Sequence, residues 1–133
     1  MDLIPNWCLG VATIKQEAEG EPYEGKVAVG EVIRRRTKLK YASQGTIAST
    51  VLAPLQFSGW NTGSPVRVKS CEAQIEDPIV QECRRAWVES ETSNLVPGAV
   101  LYHANYIKPS WAKSVKFVKQ IGRHLFYADP PRD

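Results

Sequence analysis

Cysteine is scarce in this 133-residue chain: Cys8, Cys71 and Cys83 are an odd number with no CxxC pair. That spacing excludes a disulfide framework and a zinc knuckle, so three free thiols are expected. Histidine is scarcer still. His103 and His124 stand about twenty residues apart without HExxH-like spacing, which argues against a zinc peptidase. No long apolar run occurs. The N-terminus "MDLIPNWCLGVATIKQEAEG" lacks a basic leader, carries Asp2 and Pro5, and breaks into charge at Lys15, so it reads as neither a secretory signal nor a membrane span. A chain made in the cytoplasm is expected. Internal repeats and low-complexity segments are also missing.

What is present suits one domain with an ordinary core: 43% hydrophobic and 23% charged residues. The net charge is only +3 but is unevenly placed. Residues 2–31 hold Asp2 and five glutamates against Lys15 and Lys26, whereas residues 108–123 hold Lys108, Lys113, Lys116, Lys119 and Arg123 and no acid. Such a strip is either a solvated hairpin face or a surface for an anionic polymer.

Periodicity predicts a first helix from Pro5 to Ala18, with Trp7, Val11, Ile14 and Ala18 as its apolar stripe and Gly20 as its stop. A second helix begins with Pro22 at its first position and carries Val29, Val32 and Ile33 up to Arg36. Thr46 to Ser49 opens a short third helix that ends by Pro54, and Leu55 to Trp60 reads as extended or irregular. Asp77 and Pro78 cap a fourth helix bearing Ile79, Cys83, Ala86 and Trp87. After it, Val100 to Tyr102 reads as a strand, and "KFVKQIGRHLFYA" as a hairpin turning at Gly122-Arg123. The expected class is α+β, mainly helical with a small C-terminal antiparallel element.

The five glutamates, Glu17, Glu19, Glu21, Glu24 and Glu31, fall within fifteen residues. At about 100° per residue, Glu17 lies roughly 80° from the axis of the first helix's stripe, and Glu19 about 120° away on the solvent side. Glu21 and Glu24 flank the start of the second helix, where carboxylates favour the exposed N–H groups. Glu31 is placed to pair with Arg34 or Arg35 along the helix surface. Glu17 alone sits at a burial boundary, beside the space left by Gly20. Partial burial raises a carboxyl group toward neutrality, as a general acid requires, although boundary glutamates are also common as structure.

Five segments in order resemble the SleB-like cell wall hydrolases, the family of spore cortex-lytic enzymes and many phage lysins. "EAEGEPYEGKVAV" from Glu17 to Val29 resembles E-A-x-G-E-x-x-x-G-x-x-A-V. "VIRRR" at Val32–Arg36 stands at V-I-x-N-R, with Arg35 in place of the usual Asn. "QFSGW" from Gln56 to Trp60 matches Q-F-S-x-W, and "GAVLYH" from Gly98 resembles G-A-x-x-Y-x. Trp111 followed by "IGRHLFY" resembles the closing W…I-G-x-H-x-F-Y.

This resemblance implies a lysozyme-like domain over residues 1–133 that cleaves the β-1,4 glycan strand of peptidoglycan between N-acetylmuramic acid and N-acetylglucosamine. It assigns the acid/base role to Glu17. Only one well-placed acid is apparent, which suits a lytic transglycosylase. A muramidase using Glu21 as base is the alternative. Substrate contacts are expected from Glu21, Gln56, Ser58, Trp60 and Tyr102: amides and hydroxyls bond sugar hydroxyls, and aromatic faces stack on sugar rings. Phe57, Trp60 and Trp111 are equally readable as core. No metal or cofactor is expected, nor nucleic acid or stable membrane association, and the protein is expected to be a monomer. The missing leader suggests a phage endolysin held in the host cytoplasm until released to the wall. The rivals are an amidase or peptidase with Cys8, Cys71 or Cys83 as nucleophile and His103 or His124 as base, and a non-catalytic binder using the 108–123 strip.

Overall fold

The computed structural model describes residues 5–53, 57 and 76–129. Among these are α1 (Asn6–Ala18), α2 (Tyr23–Leu39), α3 (Ile47–Val51), α4 (Pro78–Glu89), β1 (Ala99–Ala104), a 3-10 turn (Ser110–Ser114), β2 (Lys116–Ile121) and β3 (His124–Ala128). The strands form an antiparallel sheet in the order β1-β3-β2. The mainly helical α+β class expected from the sequence is the one observed.

Helix α2 is the centre of the core. Val27, Ala28, Val29, Val32 and Ile33 are all buried, so the helix is apolar nearly all round its middle and takes neighbours on every side. It runs three residues past the expected end at Arg36. Lys40, not a glycine, supplies the left-handed cap at φ 55°, and its N–H reaches the carbonyls of Arg36 and Thr37. Pro22 stands just outside the helix, at the N-cap, with ψ 160°.

The stripe of α1 also differs from expectation at one residue. Leu9, Val11, Ile14 and Ala18 are buried, but Trp7 is 43% exposed, with the Arg84 guanidinium 5.3 Å from its ring. The close contact to α4 is made one turn later by Gly10. A Cβ there would lie 2.6 Å from the Trp87 ring, so the missing side chain is what lets that indole pack on the helix. At the start of α4 the Asp77 side chain accepts from Ile79 N at 2.8 Å, with Pro78 behind it, as its sequence predicts. Thr46 and Ser49 form a reciprocal capping box on α3.

The sheet is tied to the helices by polar reach as much as by apolar contact. Phe126 of β3 joins the same buried core as Phe57. Three side chains of α2 hold the chain entering β1. Glu31 accepts from Ser93 Oγ and from the amides of Leu95 and Val96, Arg35 donates to Val96 O and Ala99 O, and Arg36 donates to Val100 O. The surface pair expected for Glu31 is therefore a minor part of its role. The carboxylate is buried, and Arg35 lies 4.0 Å away. Arg35, which departs from the family pattern, has two backbone carbonyls as partners.

Candidate active site

The last turn of α1 presents Glu17, and the corner at Gly20 turns the chain so that Glu21 enters the same space before α2 begins. Strand β1 brings Tyr102 from the other side, and the β2–β3 hairpin brings Arg123 and His124. A pocket of about 230 Å³ opens between them, lined by Glu17, Gly20, Glu21, Tyr106, Arg123 and His124 among others. A larger, more open depression between α2 and α3 is lined by small and hydroxyl residues such as Ser43, Thr46 and Ser49, with no carboxylate or imidazole.

Glu17 is half-buried and accepts a hydrogen bond from the Tyr102 hydroxyl. Burial pushes its carboxyl above the usual carboxylate value, and the opposing pull of the Tyr102 bond and the Arg36 charge does not cancel that rise. Tyr102 is raised well above an ordinary phenol, first by burial and then by the Glu17 charge, so its hydroxyl keeps its proton and remains a donor. Its ring is flanked by His124 at 5.0 Å and Phe126 at 5.5 Å. Arg36 is buried alongside, where α2 delivers one fixed cation near the acid.

Glu21 has the opposite character. Burial alone would raise it, but Arg123 outweighs burial: its Nε lies 2.9 Å from one carboxylate oxygen and its backbone N–H 2.7 Å from the other, and the net result is a lowered value. The hairpin tip can approach this closely because Gly122 has φ +58° and no side chain. A Cβ there would lie 2.8 Å from Glu21 Oε1. Glu21 therefore anchors the hairpin. Its expected role at the exposed N–H groups of α2 is not the one observed, because both oxygens are taken by Arg123. Glu24, exposed in the first turn of α2, is placed as expected.

His124 lines the same pocket as these two carboxylates. Its Nδ1 is buried without a hydrogen-bond partner, 3.9 Å from Glu21 Oε1. Burial holds the imidazole below its usual value against the pull of Glu21, so it is neutral near pH 7. His103 lies on the other sheet face and is satisfied by Tyr127 OH and Ala104 O, both at 2.8 Å. Trp111 packs there against His103 and Tyr127.

Of the residues expected at the site, Glu17 and Tyr102 are brought into contact and Glu21 lines the same pocket. Gln56, Ser58 and Trp60 lie outside the described residues, as does Cys71. Cys83 is in the core, its thiol pushed by burial to about 11, which disqualifies it as a nucleophile. Among the described residues no group of three His, Cys, Asp or Glu side chains could hold a metal ion. Nor is any helix among them long and apolar enough to cross a membrane. Sequence reasoning did not place Arg36, Arg123 or Tyr106 at the site, and offered His124 only as the base of the cysteine-enzyme reading. The V-I-x-N-R and I-G-x-H segments pointed toward Arg36, Arg123 and His124, and nothing pointed to Tyr106.

The profile of the Cell Wall Hydrolase family matches residues 20–127. The chain belongs to that family. The match begins three residues after Glu17 and spans the other candidate positions. Two solved structures share the fold at 21% identity. The catalytic domain of the germination-specific lytic transglycosylase SleB from Bacillus anthracis aligns with a TM-score of 0.71, over 92% of this chain and 93% of that one. The catalytic domain of the Bacillus cereus SleB protein aligns with a TM-score of 0.74, over 92% and 88%. No curated protein matches the chain significantly.

Proposed function

We propose that this chain, as a single catalytic domain, cleaves the β-1,4 glycan strand of peptidoglycan between N-acetylmuramic acid and N-acetylglucosamine as a lytic transglycosylase, with Glu17 as its one acid/base. Membership of the Cell Wall Hydrolase family supports the substrate class. The observation that carries the reaction type is the contrast between the two pocket carboxyls. Glu17 is held toward its protonated form, whereas Glu21 is ionised and bound twice to Arg123. A base for hydrolysis must accept a proton from water, and a carboxylate lowered and occupied in this way is poorly suited to it. Separations of environment of this kind assign the acid in glycosidases.

In the proposed sequence, protonated Glu17 gives its proton to the bridging oxygen as the bond from the muramoyl C1 to that oxygen breaks. The substrate's own N-acetyl carbonyl stabilises the developing cation. The Glu17 carboxylate then takes the proton of the C6 hydroxyl as O6 bonds to C1, which closes a 1,6-anhydro ring and restores the acid. Tyr102 positions the carboxyl through its hydroxyl in both halves. Digestion of purified peptidoglycan with the protein and with Glu17→Gln, followed by mass spectrometry of the muropeptides, tests this. Anhydro-muramoyl ends that vanish in Glu17→Gln are expected. Reducing ends would mean a muramidase, and undiminished cleavage by the variant would remove Glu17 from the role. The endolysin role is proposed with it: expression inside a host should lyse the cells only when a membrane-permeabilising factor is co-expressed.

A further inference from the structure

Resting on that glycan-cleaving reading, we infer that Tyr106 and His124 are the two sides of a saccharide subsite beside Glu17, Tyr106 stacking on a sugar ring and His124 Nδ1 hydrogen-bonding its amide or hydroxyl edge. Tyr106 is 79% exposed, more than any other large hydrophobic side chain among the described residues, and it stands at the rim of the Glu17 pocket. Its backbone is fixed. Asn105 N donates to Arg123 O at 2.7 Å and Ile107 N to Ala104 O at 3.0 Å, so the ring is carried on a segment pinned to the hairpin. A solvent-facing aromatic ring on a pinned backbone beside a cleft offers a large apolar contact area.

At the inner side, His124 Nδ1 is a buried polar atom with unmet hydrogen-bonding capacity, which is uncommon in folded proteins and points to a group supplied from outside. The ring cannot turn away easily, since it lies against Tyr102 and Phe126. Glu21 Oε1, 3.9 Å from Nδ1, is too far for a direct bond. An N-acetylated sugar combines what the two sides take: C–H groups on one ring face, and an amide with hydroxyls at its edge. The pocket's volume of about 230 Å³ falls below that of drug-sized sites, as suits a single sugar unit at this position.

The test is titration calorimetry of peptide-free N-acetylglucosamine–N-acetylmuramic acid oligomers into Glu17→Gln and into the same variant carrying a second change. Adding Tyr106→Ala should weaken binding roughly three- to tenfold, the range of an aromatic stacking contact, while Tyr106→Phe leaves it within about twofold. His124→Leu should weaken it several-fold and His124→Asn, which returns a polar atom near Nδ1, should restore most of it. Thermal unfolding of each protein separates lost binding from lost fold. Equal affinity for Tyr106→Ala and its parent overturns the subsite even if the His124 variants do not fold. The outcome is independent of the catalytic assignment. Should Glu17→Gln still cleave, the acid/base reading falls, whereas a rise in KM on adding Tyr106→Ala would still uphold the subsite.

Discussion

Replacing Glu31 with alanine tests whether long-range polar contacts from α2 hold the sheet in place. The carboxylate accepts from Ser93 Oγ, from Leu95 N at 2.9 Å and from Val96 N at 3.0 Å. Ser93 is partly exposed and can turn to water, but the two amides lie in a turn whose Val96 is fully buried. Leaving a buried donor unsatisfied costs about 1–3 kcal/mol, so two of them together amount to about 3–4 kcal/mol, allowing for partial hydration at Leu95. At about 2.1 cal/mol/K per residue, a chain of this length has an unfolding entropy near 0.28 kcal/mol/K, and the loss becomes a fall in Tm of about 11–14 °C. Far-UV circular dichroism against temperature measures it. Glu31→Gln, which keeps one acceptor oxygen, should fall between wild type and Glu31→Ala. A drop of less than about 3 °C for Glu31→Ala would refute the claim that these bonds organise the entry to β1. It would restore the simpler reading of Glu31 as a surface partner of Arg35.

Tyr102→Phe removes the hydrogen bond that opposes the rise of Glu17, so Glu17 should stay protonated to higher pH. The alkaline limb of the kcat/KM profile should move upward, and a limb that stays or moves downward counts against the Tyr102–Glu17 pairing. Gly122→Ala forces a side chain into a φ of +58° and within 2.8 Å of Glu21 Oε1. It should cost about 1–3 kcal/mol, visible as a lower denaturant midpoint, and an unchanged midpoint would show that the hairpin tip yields. Cys83, fully buried with its thiol near 11, should resist a thiol-specific reagent until the protein is denatured, and glycan cleavage should survive the treatment. Inhibition by blocking that thiol in the folded protein would reopen the cysteine-enzyme reading.

The elements that announced themselves in the sequence did so through local chemistry. Asp77-Pro78 marked the start of α4, the valine-rich run marked α2, and Gly122 marked the hairpin. Helical geometry alone put Glu17 at the edge of a buried face, where it is half-buried, but its expected acid/base role came from the resemblance. Partners far along the chain were not legible. Glu31 bonds a turn 62–65 residues away and Glu21 bonds Arg123 across 102 residues, separations on which periodicity is silent. Helix-end rules offered Glu21 a plausible local role and pairing along the helix offered Glu31 one, and in both cases the tertiary contacts outweigh it. Trp7 was misplaced for a related reason. An apolar stripe records which residues are greasy, whereas the close approach of Trp87 is made at Gly10, which has no side chain to announce it. Tyr106 has no periodic signature, since its position depends on how a loop is pinned to the hairpin.

Glu17 and Glu21 are four residues apart and would be nearly equivalent in the unfolded chain, so everything that distinguishes them comes from folding. Since Glu17 is raised in the folded state, the native protein binds more protons than the unfolded one between the ordinary carboxyl value and the raised one. Stability therefore falls as pH rises through that window. Glu21 has the opposite sign. Its lowered value contributes stability above the ordinary carboxyl range, and that contribution is lost as pH falls through the lowered value. The Arg123 contacts that produce the second effect also dock the hairpin, and the hairpin brings β3 and the His124 ring against Tyr102, which bonds Glu17. Anchoring the sheet at one carboxylate thus helps build the dry side of the pocket whose burial raises the other. The raised carboxyl at residue 17 is tied to ion pairing at residue 21, and the stabilising contact offsets part of what the desolvated acid costs.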